Sequence, residues 1–311
     1  MSGLSVVRRD AVARCDGVRR RFDSIGCPQT GTERSVHDPL NPYRCDESTV
    51  KPNEETLAPG PARLWRWMPR ANDGRPPVLL VHGGYHGAWC WSNWAERLAG
   101  HGRRVSAIDL RGHGGLARPD GFITAGFTEM TDDVIAAIDT FEVPPLLVGH
   151  SIGGLLVVLA AIRRSTAGLL LVCPSPPGNL PGAATVPLVP ENAPVPPLSA
   201  AIARARYAPH LSEREAAAFA HRLCAESPRL LNERYGLRIA VNPTAITVPV
   251  HVVEGGRDDP ERHPPGQDAA IARFLGGTHQ RLDDAPHNLM LGPGWHGWYD
   301  TIWARVDSVF A

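Results

Sequence analysis

From residue 77 onward the chain is built of short apolar runs bounded by Gly, Pro or Asp: PVLLVH (77–82), RVSAID (104–109), PLLVGH (145–150), GLLLVC (168–173) and PVHVVE (249–254). Runs of this length with little polar alternation mark strands covered on both faces, and such strands pair in parallel. Between the earlier runs lie WSNWAERLAG, FTEMTDDVIAAIDTF and IGGLLVVLAAIRR, which read as helices. Strand and helix in alternation predict βαβ units, hence an α/β fold with a doubly wound, mostly parallel sheet. ARLWRWMP (62–69) alternates enough to add a strand before the series. HQRLDD (279–284) reads as the last strand, and 264–275 and 294–310 as closing helices.

Two stretches depart from this rhythm. Residues 1–60 show no period and many breakers, as in HDPLNPYRCDESTVKPNEETLAPGP, and are expected to form an irregular extension, disordered in part or packed on the domain. Between Cys173 and Pro249 no strand-like run occurs; a Pro-rich stretch, 174–198, precedes helical sequence. Ser212 and Glu215 form a capping-box pattern, and Ser227-Pro228 opens a second helix that ends at Gly236. Such an insertion at one point of a sheet predicts a helical cap or lid over 174–246, with the core formed by 61–173 and 247–311.

Composition narrows the partners. With 43% apolar residues in 311, the chain can bury a substantial core, yet its longest apolar runs fall well short of the roughly 20 residues that span a membrane. Thirty-two basic and 32 acidic residues cancel, which removes the electrostatic case for nucleic acid or an anionic membrane as the main partner. The N-terminus carries arginines without the apolar stretch of a secretory signal, so a cytoplasmic protein is expected. The six cysteines show neither a CxxC pair nor metal-ligand spacing and read as buried or incidental thiols, with one bridge among Cys15, Cys27 and Cys45 left open.

The chemistry concentrates at the ends of the predicted strands. Gly149-His150-Ser151-Ile152-Gly153 lies between an apolar strand and a helix, where a sharp turn exposes a serine hydroxyl and the flanking glycines avoid collision. Upstream, His82-Gly83-Gly84-Tyr85-His86-Gly87 forms a small-residue loop after the first central strand. The N–H groups of Gly84 and Ile152 are assigned to an oxyanion hole. His82 and His86 are four apart, but the glycines between and after them forbid the helix a zinc motif requires, so no metal is expected. A serine nucleophile needs a base, and the base an orienting acid. Asp258 stands third after Gly255 at the end of a strand, with Asp259 as the alternative, and His287 follows the last strand. The order Ser151, Asp258, His287 is that of a triad on this kind of sheet.

LLVHGGYHGAWCW, IDLRGHG, LVGHSIGG, the Gly-Gly-Arg-Asp turn and PHNLMLGPGW, taken in order, resemble the landmarks of the α/β-hydrolase superfamily from about residue 62 to the C-terminus. HGxxHGAWCW is similar to the branch holding methylesterases and hydroxynitrile lyases, and also to many bacterial hydrolases. The resemblance implies an acyl-enzyme mechanism on a small-molecule ester, lactone or thioester, no cofactor, and a cap over the pocket. Hydroxynitrile lyases of that branch use a late lysine, whereas no lysine follows Lys51 here. A ligand-binding receptor on the same fold is the other alternative.

Overall fold

The structure, a computed structural model, describes residues 53–56 and 60–310. Among these, eight strands form one sheet: β1 (Asn53–Thr56), β2 (Arg63–Trp67), β3 (Val78–Val81), β4 (Val105–Asp109), β5 (Leu146–His150), β6 (Gly168–Val172), β7 (Val250–Gly255) and β8 (Thr278–Leu282). Their order is β1-β2-β4-β3-β5-β6-β7-β8. Pairings from β4 through β8 are parallel, and β2 runs antiparallel to both its neighbours. Every residue of β3, β5 and β6 is buried, as continuous apolar runs require.

Among the described residues eight α-helices accompany the sheet: α1 (Ser92–Gly100), α2 (Phe127–Ile138), α3 (Ile152–Arg163), α4 (Ala200–Tyr207), α5 (Glu213–Arg222), α6 (Pro228–Tyr235), α7 (Gln267–Phe274) and α8 (Trp295–Val309). From β3 the chain winds outward first to β4 and then, through β5, the other way. Right-handed crossovers in opposite directions place α1 on one face and α2 with α3 on the other. The reversal at β3 opens a crevice at the strands' carboxyl ends, where sheets of this kind hold their ligands.

One expectation is corrected. Residues 53–56, read as part of the irregular extension, form β1, paired with β2. NEET carries no apolar signal, because an edge strand is held by backbone hydrogen bonds to one neighbour alone. The remainder of the expected extension, 1–52 and 57–59, lies outside the described residues. Between β6 and β7 stand α4, α5 and α6. The Ser212 capping box forms in both directions: Ser212 Oγ accepts from the Glu215 N–H at 3.3 Å and Glu215 Oε2 accepts from the Ser212 N–H at 2.8 Å. Pro228 opens α6, and Ser227 Oγ caps it. Among the described residues no helix is long and apolar enough to cross a membrane.

Candidate active site

β5 ends at His150 and α3 begins at Ile152, so the whole reversal falls on Ser151, at φ 53° and ψ −119°. The turn is tight because its flanks touch: a Cβ on Gly149 would strike the Gly153 carbonyl, and one on Gly153 the His82 carbonyl. Only glycine fits at either position.

Beyond β7, Asp258 Oδ2 accepts a hydrogen bond of 2.6 Å from His287 Nδ1. That bond fixes the tautomer and leaves Nε2 free to take a proton. The His287 loop is itself held, since His150 Nε2 donates to the His287 carbonyl at 3.1 Å and the Asn288 N–H to Tyr207 O at 2.9 Å. Burial pushes the Asp258 carboxyl up, but the charges of His263 and His287 and the bonds from His287 and the Asp259 N–H outweigh it, and the group ends below its usual value. Asp259 lines the same recess as Ser151 and His287 but pairs with arginines instead, Arg262 Nη1 at 3.1 Å and Arg206 Nε at 3.9 Å. It is half-buried.

His263 and Asp268 add a buried pair behind the acid. His263 Nδ1 lies 3.8 Å from Asp258 Oδ2 and 3.9 Å from Asp268 Oδ1, distances of charge contact rather than hydrogen bonding. Cys173 Sγ completes a group within 4.8 Å with Asp258 and His287. Burial pushes that thiol far above its usual value.

The two assigned oxyanion donors share one construction. The Gly83 carbonyl accepts from His82 Nδ1 at 2.8 Å and from the His86 N–H at 3.3 Å. The Ser151 carbonyl accepts from the N–H groups of Gly154 and Ser175, both at 2.9 Å. A trans peptide points its N–H opposite its C=O. Anchoring these two carbonyls therefore aims the Gly84 and Ile152 N–H groups, neither of which meets a protein acceptor outside helix bonding. The next N–H, of Tyr85, is taken by Glu226 Oε2 at 3.0 Å. His82 and His86 use both ring nitrogens in this scaffold: the other bonds come from the Leu110 N–H at 3.2 Å and Asn288 Nδ2 at 3.0 Å. Both rings thus brace the loop that carries Gly84.

All five predicted site residues, Ser151, Asp258, His287, Gly84 and Ile152, line one recess of about 550 Å³ that is partly open to solvent. Tyr207, Leu231, Arg234 and Tyr235, from the segment between β6 and β7, line it too, with Arg262 and His263. Of these, Tyr207, Arg234, Tyr235, Arg262 and His263 carry no signal in the sequence that marks them as site residues. Arg234 left one trace: it follows Leu230 and Leu231 by four and three residues, a charge on the apolar stripe of α6.

The alpha/beta hydrolase family model matches residues 78–295, more than half of the chain, and the chain belongs to that family. Methylesterase 9 of Arabidopsis thaliana is 36% identical over 86 residues, covering 27% of this chain and 33% of that protein. Esterase PIR7B of Oryza sativa subsp. japonica is 37% identical over 100 residues, 31% of this chain and 37% of that one. The matched segment thus spans about a third of either relative. The crystal structure of the Arabidopsis methylesterase MES16 superposes with a TM-score of 0.60 at 19% identity, over 75% of this chain and 99% of the other, a likeness of fold.

Proposed function

We propose that this chain is a serine hydrolase cleaving a carboxylic ester of a small molecule through an acyl-enzyme. The observation that carries the reading is the 2.6 Å His287–Asp258 bond in the recess that also holds Ser151 on its strained turn. Ser151 Oγ attacks the ester carbonyl as His287 Nε2 takes its proton, with Asp258 holding the imidazole and stabilising its cation. The oxyanion rests on the N–H groups of Gly84 and Ile152, each worth about 3 kcal/mol in the transition state. His287 then protonates the departing alcohol and activates water against the acyl-enzyme. A lactone or thioester suits the same machinery. Residues 174–246 act as the cap, a role supported by the five residues they place in the recess, Ser175, Tyr207, Leu231, Arg234 and Tyr235. The esterase names of the relatives agree with this reading, and the absence of any lysine after Lys51 speaks against lyase chemistry of the hydroxynitrile kind.

The test is turnover of nitrophenyl acetate and butyrate by the wild type and by Ser151→Ala, with a fluorophosphonate adduct located by mass spectrometry. Turnover that falls by several orders of magnitude in a folded Ser151→Ala, with the adduct on Ser151, is the expected result. Near-normal activity in that variant overturns the assignment, and a wild type inert to every ester would leave a binding protein.

A further inference from the structure

Arg234 sits in the last turn of α6, is only 5% exposed, and lines the same recess as Ser151 and His287. Its Nη2 donates to the Arg262 carbonyl at 3.3 Å, and its Nη1 is buried with no partner. The other charges of the recess are matched: Arg262 meets Asp259 at 3.1 Å, and Asp258 meets His287 at 2.6 Å. Burial pulls the Arg234 guanidinium down to about 10, with Tyr235 and Arg262 the remaining influences and no carboxylate among them. At neutral pH it is still a cation, desolvated and without a counter-charge.

A buried, unpaired charge is a standing cost to the fold. The attraction of a cation for the carbonyl end of a helix explains why an arginine suits this turn, but an exposed arginine would satisfy it equally. Burial in the recess that also holds Ser151 calls for another partner, one that arrives with the substrate. A guanidinium matches a planar carboxylate through two parallel N–H bonds. A single unmatched positive charge, with Asp258 and Asp259 already nearby, suits a monoanion better than a phosphate dianion. Arg234 and Ser151 line one recess, so a short carbon chain is enough to join an anion on the guanidinium to the reacting carbonyl.

We infer that Arg234 is a specificity-determining residue that binds a carboxylate on the substrate, so that the preferred substrate is the ester of a short dicarboxylic acid or of another small carboxylate-bearing molecule. The substrate class rests on the hydrolase reading above; the anion subsite does not.

The matched probes are monomethyl glutarate and methyl pentanoate, which differ in carboxylate against methyl at the far end. The wild type is expected to favour the anionic ester about 100-fold in kcat/KM, because a buried donor left unpaired by the neutral analogue penalises it. In Arg234→Met that ratio is expected to collapse toward one, and Arg234→Lys to restore part of it. Should Arg234→Met not fold, the wild type supplies the test alone: glutarate inhibits competitively and pentanamide does not. Independently of turnover, glutarate is titrated into Ser151→Ala by calorimetry, with inorganic phosphate as a second arm. Glutarate binding that Arg234→Met abolishes sustains the subsite even if no ester is turned over, which would then count against the hydrolase reading only. Esters cleaved without charge preference, and no glutarate binding, sink the inference while leaving the hydrolase intact. Phosphate binding more tightly than glutarate overturns the choice of carboxylate.

Discussion

Ser151 meets two opposed demands: a side chain to react, and a backbone angle that side chains avoid. At φ 53° it is one of four non-glycine residues at positive φ among those described, and such a conformation costs of order 1–3 kcal/mol. Glycine would relieve the strain and alanine would not. Ser151→Gly is therefore expected to unfold in urea at about 1 kcal/mol greater stability than Ser151→Ala, with both inactive; equal stabilities would mean the turn stores no strain. The neighbouring aspartates give a second contrast. Asp258→Asn keeps the shape but favours the wrong His287 tautomer, a loss of about 10⁴ in kcat at pH 7. Asp259→Asn gives up its pairing with Arg262 and Arg206, neither of them in the proposed triad, and is expected to lose less than about tenfold. The reverse outcome would move the acid by one residue. These residues were legible because strand ends and glycines bracket them. His263 and Arg234 were not, since a Pro-flanked turn and a short helix of the insertion carry no periodic signal for which side chains enter the recess.

At the scale of elements, the apolar runs announced β3 to β7, because burial on both faces leaves no room for polar alternation. They failed for β1 and blurred the end of β8, an edge strand whose side chains are mostly exposed or half-buried. In the insertion the capping residues of α5 and α6 were visible, whereas its attachment to the core was hidden in single polar residues. Glu226, just before α6, is that attachment. Its Oε2 accepts from the Tyr85 N–H at 3.0 Å and meets His113 Nε2 at 3.1 Å, while Oε1 accepts from the Ser227 N–H at 2.8 Å. Glutamine offers one acceptor and one donor, so either orientation sets its amide against an N–H. Glu226→Gln is expected to lose about 3–5 kcal/mol of stability, the usual result of breaking a buried pair. It should also lower kcat, because the peptide following Gly84 is released on one side. Thermal unfolding and kcat measured together check this; a melting temperature unmoved by the change would show that the pair does not tie the insertion down.

For the molecule as a whole, the sequence predicted layers and a doubly wound sheet but not the pH behaviour, which arises where separate segments bury titratable groups together. Burial, with help from neighbouring histidine charges, holds His82 and His150 far below the ordinary histidine value of 6.5, and brings His86 down to about 4. The unfolded chain takes up those protons as pH falls below 6.5 and the folded chain does not, so stability drops on the acid side. Each such group contributes about 1.4 kcal/mol per pH unit, and the three together roughly 4 kcal/mol per unit. Two histidines act oppositely. Burial lowers His113 and His263 too, but Glu226 in one case and Asp258 with Asp268 in the other outweigh it and raise them. Their contribution is complete below 6.5 and is lost as pH rises through the raised values. Glu226 and Asp258, both lowered despite burial, add stability above the ordinary carboxylate range and lose it only in stronger acid. Stability should therefore peak near neutrality, fall gently toward pH 9, and fall steeply below pH 6. At that slope roughly 10 kcal/mol is lost between pH 6.5 and 4, so a domain in the lower half of the usual range of about 5–15 kcal/mol would unfold above pH 4, before most carboxylates are protonated. Urea unfolding at half-unit steps from pH 4.5 to 9 gives the curve. His86→Gln keeps a donor for the Gly84 carbonyl and an acceptor for Asn288 but cannot take up a proton. It should lower the acid slope by about 1.4 kcal/mol per pH unit and leave the alkaline limb unchanged. An acid slope identical to the wild type would mean that His86 is already protonated in the folded chain, and that its hydrogen bonds to Gly84 and Asn288 are not those of a neutral ring.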